Sequence, residues 1–195
     1  MFIQVIQGTV SDPEALKRSM ARWMSDIKPG AIGYLGSTGG ITPDGRTITL
    51  ARFESEEAAQ ANSARPEQAA WWDEASKAYA DDVTFHDCRE VDTGFGGGSD
   101  KARFVQVIQG RSADPQKMRE LGMSAEDELR KIRPDILGFV IAWHGDGGFT
   151  QAVYFTSEEA ARAGEQAMQG NSTMDEITSL MQPEAFFDLP DPQFD

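Results

Sequence analysis

Cysteine is almost missing from this chain. Cys88 stands alone among 195 residues, which excludes an intrachain disulfide and any Cys-x-x-Cys metal site and points to a reducing compartment. Histidine is nearly as scarce, with only His86 and His144. His144 and Asp146, at H-x-D spacing, are two ligands and too few for a metal site without a third placed elsewhere, so no metal is expected. Basic residues are also in the minority: 18 Lys and Arg against 32 Asp and Glu give a formal net charge of -14. That balance argues against nucleic acid, whose affinity rests on cations neutralising phosphates. No apolar run approaches the roughly 20 residues of a membrane span. Met1 leads straight into the alternation Phe2 to Ile6, without the basic and long apolar regions of a secretory signal. A cytoplasmic protein with no membrane partner is expected.

What the chain does have is a stretch written twice. Phe2-Ile-Gln-Val-Ile-Gln-Gly8 returns as Phe104-Val-Gln-Val-Ile-Gln-Gly110, and Phe53-Glu-Ser-Glu-Glu-Ala-Ala59 returns at the same separation as Phe155-Thr-Ser-Glu-Glu-Ala-Ala161. The protein is therefore read as a tandem duplication, with repeats over 1–91 and 103–195 and a flexible Gly-rich linker over 92–102. The linker's GxGGG run lacks the GK[ST] ending of a phosphate loop. A unit of about 90 residues leaves apolar surface uncovered, so the copies are expected to dock as an intramolecular pseudo-dimer, with a further homodimer open to it.

The pattern gives the order of elements. Residues 2–7 form a short β-branched run closed by Gly8, a strand with apolar residues on both faces and Gln4 among them. Asp12-Pro13-Glu14 supplies a cap, a proline at the helix start and an acid in the first turn. Leu16, Met20, Trp23 and Ile27 make one helical stripe ending at Lys28-Pro29-Gly30. Copy two repeats it with Met118, Leu121, Ala125, Leu129 and Ile132, and carries three extra residues before Arg133-Pro134. Two hairpins follow, 31–37 with 46–53 and 136–143 with 149–155. Ser55 and Ser157 cap second helices with Glu-Glu in the first turn, whose carboxylates read as helix-dipole complement rather than catalysis. Pro66 restarts a helix expected to show Trp72, Ala75 and Tyr79 on one face, matched by Met174, Ile177 and Leu180. Strands at 83–88 and 185–189 close the units.

Each copy thus reads β-α-β-β-α-β, an α+β ferredoxin-like repeat with two helices over one face of an antiparallel sheet. The uncovered faces are expected to meet as a dimeric α/β barrel whose interior is the ligand cavity. On its opening strand, its hairpin and the steps Phe53-Glu-Ser-Glu-Glu-Ala58 and Phe155-Thr-Ser-Glu-Glu-Ala160, the chain resembles the dimeric α/β-barrel superfamily, and within it the antibiotic-biosynthesis monooxygenase-like proteins. That resemblance implies chemistry ranging from cofactor-free oxygenation through haem degradation to isomerisation, alongside members of no known activity. The family's oxygenases place an Asn on the first strand and a Trp in the second helical region; the matching positions here are Gln4 and Gln106, and Ala61 or Asn62 with Ala163 or Gly164. Where haem-degrading members carry a histidine, copy one has Trp71-Trp72, so neither haem nor another cofactor is expected.

Candidate catalytic residues are Gln4 and Gln106, to polarise a carbonyl, and His86 on the last strand, a possible base with Asp188 as its counterpart in copy two. Against this, His86 also reads as an edge histidine satisfied by local hydrogen bonds, and the repeated glutamines as a hydrogen-bonded link between copies. Tyr34, Phe53, Trp72, Phe139, His144 and Phe155 are candidates to line a pocket for a flat aromatic ligand, although most aromatic residues of such a chain serve as core and His144 also reads as structural. Trp23 reads as helix-to-sheet packing. Covalent joining lets the two sites diverge, as His86 against Asp188 and Trp72 against Met174 suggest. The expected function is oxidation of a small aromatic or polycyclic substrate, with a non-catalytic ligand-binding or assembly module as the alternative.

Overall fold

The computed structural model describes residues 1–168 and 170–195, the side chain of Thr173 excepted. The first repeat runs through β1 (Phe2–Thr9), α1 (Pro13–Arg22), a π-turn (Trp23–Ile27), a short 3-10 turn (Lys28–Gly30), β2 (Tyr34–Ile41), β3 (Arg46–Phe53), α2 (Glu56–Ser63), α3 (Pro66–Ala75) and β4 (Thr84–Cys88). After β5 (Glu90–Gly94) the second runs through β6 (Phe104–Ser112), α4 (Pro115–Ile132), β7 (Ile136–Trp143), β8 (Gly148–Phe155), α5 (Glu158–Ala167), α6 (Ser172–Leu180) and β9 (Met181–Leu189), and the chain closes with β10 (Gln193–Phe194). The order is the ferredoxin-like βαββαβ, twice, with every strand pair antiparallel.

The caps form as their residues dictate. Asp12, Ser55 and Ser157 each accept a backbone N–H three residues on, from Ala15, Ala58 and Ala160. One helix differs from its expectation. Tyr79 does not continue the α3 stripe: the helix ends at Ala75, a 3-10 turn covers Ser76–Ala78, and Tyr79 bridges to Val10.

The boundary between units also departs from the reading of 92–102 as a flexible linker between 1–91 and 103–195. Unit one comprises Met1–Arg89 with Gln193–Asp195, and unit two comprises Glu90–Pro192. Glu90–Gly94 is the edge strand of unit two, giving the order β5-β7-β8-β6-β9, while β10 takes the same place in unit one, β10-β2-β3-β1-β4. The cause is the outer edge of each hairpin, which offers unpaired N–H and C=O groups to the next extended segment. Gly94 is the last residue of that strand, and the run Gly96-Gly97-Gly98 begins only after it. Phe95, at φ 56°, is held in the turn by its N–H donated to Glu126 and by its ring against Phe139, so this segment is ordered and not a free coil.

Cross-strand register decides which residues share a face. In unit one, Tyr34, Phe53 and Phe2 form one row, Ser37, Ala51, Gln4 and Asp87 the next, and Gly39, Thr49, Ile6 and Phe85 a third. This is the face under the helices. The matching rows of unit two are Ile136, Phe155 and Phe104; Phe139, Val153, Gln106 and Asp188; and Ile141, Gln151, Ile108 and Phe186.

Candidate ligand-binding cleft

Comparison of those rows explains where space is left. At Ser37, Ala51, Gly39 and Thr49 unit one carries small side chains, and at the corresponding Phe139, Val153, Ile141 and Gln151 unit two carries larger ones. In unit two Phe139 and Ile141 pack with Met118, Trp143 and Phe149, and the floor is filled. In unit one the low floor leaves an open cleft between sheet and helices.

Its roof is aromatic. The π-turn carries Trp23, whose carbonyl accepts from the Lys28 N–H five residues on. Copy two, with its three extra residues, keeps a continuous helix and has Ala125 at that point of the stripe. Rings then touch in series: Phe53 to Tyr34 at 5.4 Å, Tyr34 to Trp23 at 5.0 Å, Trp23 to Trp71 at 6.3 Å, Trp71 to Trp72 at 5.9 Å and Trp72 to Tyr79 at 6.1 Å between centroids. All five contacts are tilted or edge-on, the geometry that ring quadrupoles favour. Trp23 donates its indole N–H to Gln68 at 2.9 Å and Trp71 to the Ser19 carbonyl at 2.8 Å, which fixes both rings.

The polar groups in the wall are neutral. Gln4, Ser37, Thr49, Asn62, Ser63 and Gln68 line the cleft, and it contains no His, Cys, Asp or Glu. Gln4 donates to Asp87 at 2.9 Å, as Gln106 donates to Asp188 at 3.0 Å. Each of the repeated glutamines therefore bonds a carboxylate of its own unit. Burial, then the hydrogen bond to Asp195, pushes the Tyr34 phenol far above its ordinary range, and burial pushes Tyr79 up to about 12. Both remain protonated at neutral pH.

Of the residues singled out from sequence, Gln4, Tyr34, Phe53 and Trp72 line this one cleft. The others do not. Phe139 and Phe155 belong to packed clusters of unit two, and His144, at the end of β7, bonds the buried Thr150 at 2.8 Å, which in turn accepts from Gln109 at 3.0 Å. His86 pairs with Val5 and Asp87 with Gln4, so His86 lies on the sheet face opposite the cleft and cannot serve one ligand together with Gln4. Its counterpart is Phe187, which pairs with Val107, and not Asp188. Cys88, two residues on, is buried and its thiol raised to about 12 by burial and the Asp87 charge, which leaves it no nucleophile. His86→Ala is expected to leave the affinity of a cleft ligand unchanged in a tryptophan-quenching titration, whereas a ligand seated on the opposite face would lose affinity. Reading the sequence as isolated stripes missed Trp23, Trp71, Asn62, Gln68 and Tyr79 as lining residues. The signal for Trp23 was present: copy two has Ala125 at that point of the stripe and three more residues before its proline.

No protein-family model matches the sequence, and no curated protein matches it. Solved structures do match. A proposed monooxygenase from Fusobacterium nucleatum superposes with a TM-score of 0.73 at 7% identity, over 96% of this chain and 90% of that one. A proposed monooxygenase from Lactobacillus acidophilus gives 0.68 at 12%, over 96% and 92%, and an anthrone oxidase-like protein gives 0.63 at 13%, over 96% and 88%. At these identities the likeness establishes the fold: the chain has the duplicated ferredoxin-like architecture of these proteins. Among the described residues no helix is long and apolar enough to cross a membrane, and no three His, Cys, Asp or Glu side chains stand together as a metal-ligand set.

Proposed function

We propose that unit one binds a flat, largely apolar aromatic ligand bearing few oxygen substituents, and oxidises it with dioxygen without a metal or organic cofactor. The observation that carries this reading is the cleft itself, a small-residue floor under an unbroken series of aromatic rings, with amide and hydroxyl groups but no charged side chain in its wall. Such a lining stacks on a polycycle and orients its oxygens. The lining offers no imidazole, thiolate or carboxylate, and the fold is shared with a proposed monooxygenase and a protein named anthrone oxidase-like. A substrate that loses a proton can give an electron to dioxygen. Radical recombination then yields a hydroperoxide, and loss of water turns a CH2 into C=O. Asp87 holds one N–H of the Gln4 amide; the amide has a second, the candidate donor to the anion's oxygen.

A thermal-shift screen with anthrone-type polycycles, simple phenols, haemin and aliphatic acids tests the reading. A polycycle at 100 times its Kd adds about 2.7 kcal/mol, and oxygen uptake with that compound is expected. Stabilisation without oxygen uptake would favour the non-catalytic binding module. No shift from any polycycle would overturn the reading.

A further inference from the structure

An oxygenation that begins with proton loss needs a base, and the cleft wall has none of its own. One stands directly behind it. Tyr34, in the wall, donates its phenolic O–H to Oδ1 of Asp195 at 2.5 Å, and the same oxygen accepts the Ser37 N–H at 2.6 Å and the Ser37 hydroxyl at 2.9 Å. The Tyr34 ring is held edge-on between Trp23 and Phe53, at interplanar angles of 70° and 68°. Asp195 itself is not part of the lining. It reaches this position because β10 adds to the β2 edge and sets it opposite Ser37.

We propose that Tyr34 and Asp195 form a proton relay that activates the cleft's ligand, a proposal that rests on the cleft being a ligand site. In this relay the Tyr34 oxygen, its hydrogen committed to Asp195 and the Ser37 hydroxyl also bonded to it, takes up the ligand's proton on a lone pair. The ligand's acidic C–H or O–H breaks and its proton goes to the Tyr34 oxygen as the tyrosine's own proton passes to Asp195 Oδ1. The products are a ligand anion, a neutral tyrosine and a protonated carboxyl. Tyr34 touches the ligand and is the catalytic residue; Asp195 acts through it as a positioning residue and proton acceptor. The charges acting on Tyr34 are Asp195 and the Arg52 guanidinium of β3, the latter favouring a transient phenolate. Unit two cannot do this. Its register puts Ile136 at the place of Tyr34 and Phe139 at that of Ser37, with Gly94 on the edge strand facing Phe139.

The substrate class follows from the relay: an aromatic ketone or phenol with one activated C–H or O–H, such as a tricyclic anthrone, and not a hydrocarbon lacking an acidic proton. The test separates proton removal from oxidation by excluding oxygen. Full-length protein is mixed anaerobically with anthrone in deuterated buffer, hydrogen-deuterium exchange at its CH2 is followed by mass spectrometry, and binding is followed by tryptophan quenching. Wild type is expected to accelerate the exchange. Tyr34→Phe and Asp195→Asn are expected to lower that rate about 100-fold or more while anthrone still binds, with Asp195→Glu restoring part of it. That partial rescue by Asp195→Glu is a change that a purely packing role for Asp195 would not produce. Where Asp195→Asn fails to fold, Tyr34→Phe, which keeps the ring and its packing, carries the test. Anthrone binding without accelerated exchange, or exchange unaffected by both substitutions, would overturn the relay and leave the cleft standing; no anthrone binding at all would overturn both.

Discussion

Ala51→Phe is expected to weaken aromatic-ligand binding by unit one by roughly one to two orders of magnitude, while leaving the protein folded. Ala51 sits in the middle row of the floor, paired with Gln4 on one side and Ser37 on the other, and its side chain faces the cleft. A benzyl group there occupies the place where a ligand ring must stack. Excluding one ring's worth of apolar contact removes about 1.5–3 kcal/mol, which at about 1.4 kcal/mol per decade is roughly a 10–100-fold rise in Kd. Overpacking a filled core costs about 1–3 kcal/mol, but here the added ring enters empty space. The penalty should therefore be at the low end. Unit two displays the result naturally: Val153 stands at this position, Phe139 beside it, and the floor is closed. Tryptophan quenching with anthrone and the thermal midpoint without ligand together check the prediction. A folded Ala51→Phe protein that binds as wild type would place the ligand elsewhere.

The same comparison shows how much was legible in the sequence. Elements were readable because each has its own signal: the repeated strand, the Asp12, Ser55 and Ser157 caps, and the turns between the hairpin strands. The site was harder because β1 is apolar on both faces, so alternation did not say which face the helices cover. Register settles it. Gln4 matches Gln106 and its partner Asp87 matches Asp188, so the spacing between copies shrinks by one residue from β1 to the last strand. Aligning His86 with Asp188 is therefore a slip of one, and in a strand a slip of one moves every side chain to the other face. The places of β5 and β10 were hidden for another reason. Neither segment has a distinctive pattern, and their pairing is set by which sheet edge lies open, a tertiary fact. Asp195 consequently had no visible connection to Tyr34, 161 residues away.

The largest stability effect is expected from Arg133→Ala in unit two. The Arg133 side chain is 7% exposed and that of its partner Asp135 10%. Three hydrogen bonds of 2.7–3.3 Å join guanidinium and carboxylate, and the guanidinium lies 5.7 Å from the centre of the Phe155 ring. It also fills the space beside Gly164, where an added Cβ would strike it. Unit one solves the same packing problem from another element: Asn62 stands where unit two has Gly164, and Arg65, from the start of α3, bonds Asn62 at 3.1 Å and the Ile27 carbonyl at 3.3 Å. A guanidinium is thus kept beside the second helix of each repeat although its position in the chain is not. Removing Arg133 strands a buried carboxylate, at a cost of about 3–5 kcal/mol. Removing an exposed partner, as in Lys17→Ala beside Glu14, should cost no more than about 1 kcal/mol. The pair's net worth is a separate quantity: in Arg133→Met with Asp135→Leu both charges leave together, and most of the loss should be recovered because no ion remains unpaired. Urea unfolding of the single and double variants distinguishes the two. A double variant as unstable as Arg133→Ala would mean that the hydrogen-bonded geometry, and not the stranded charge, holds the junction of α4 with β7.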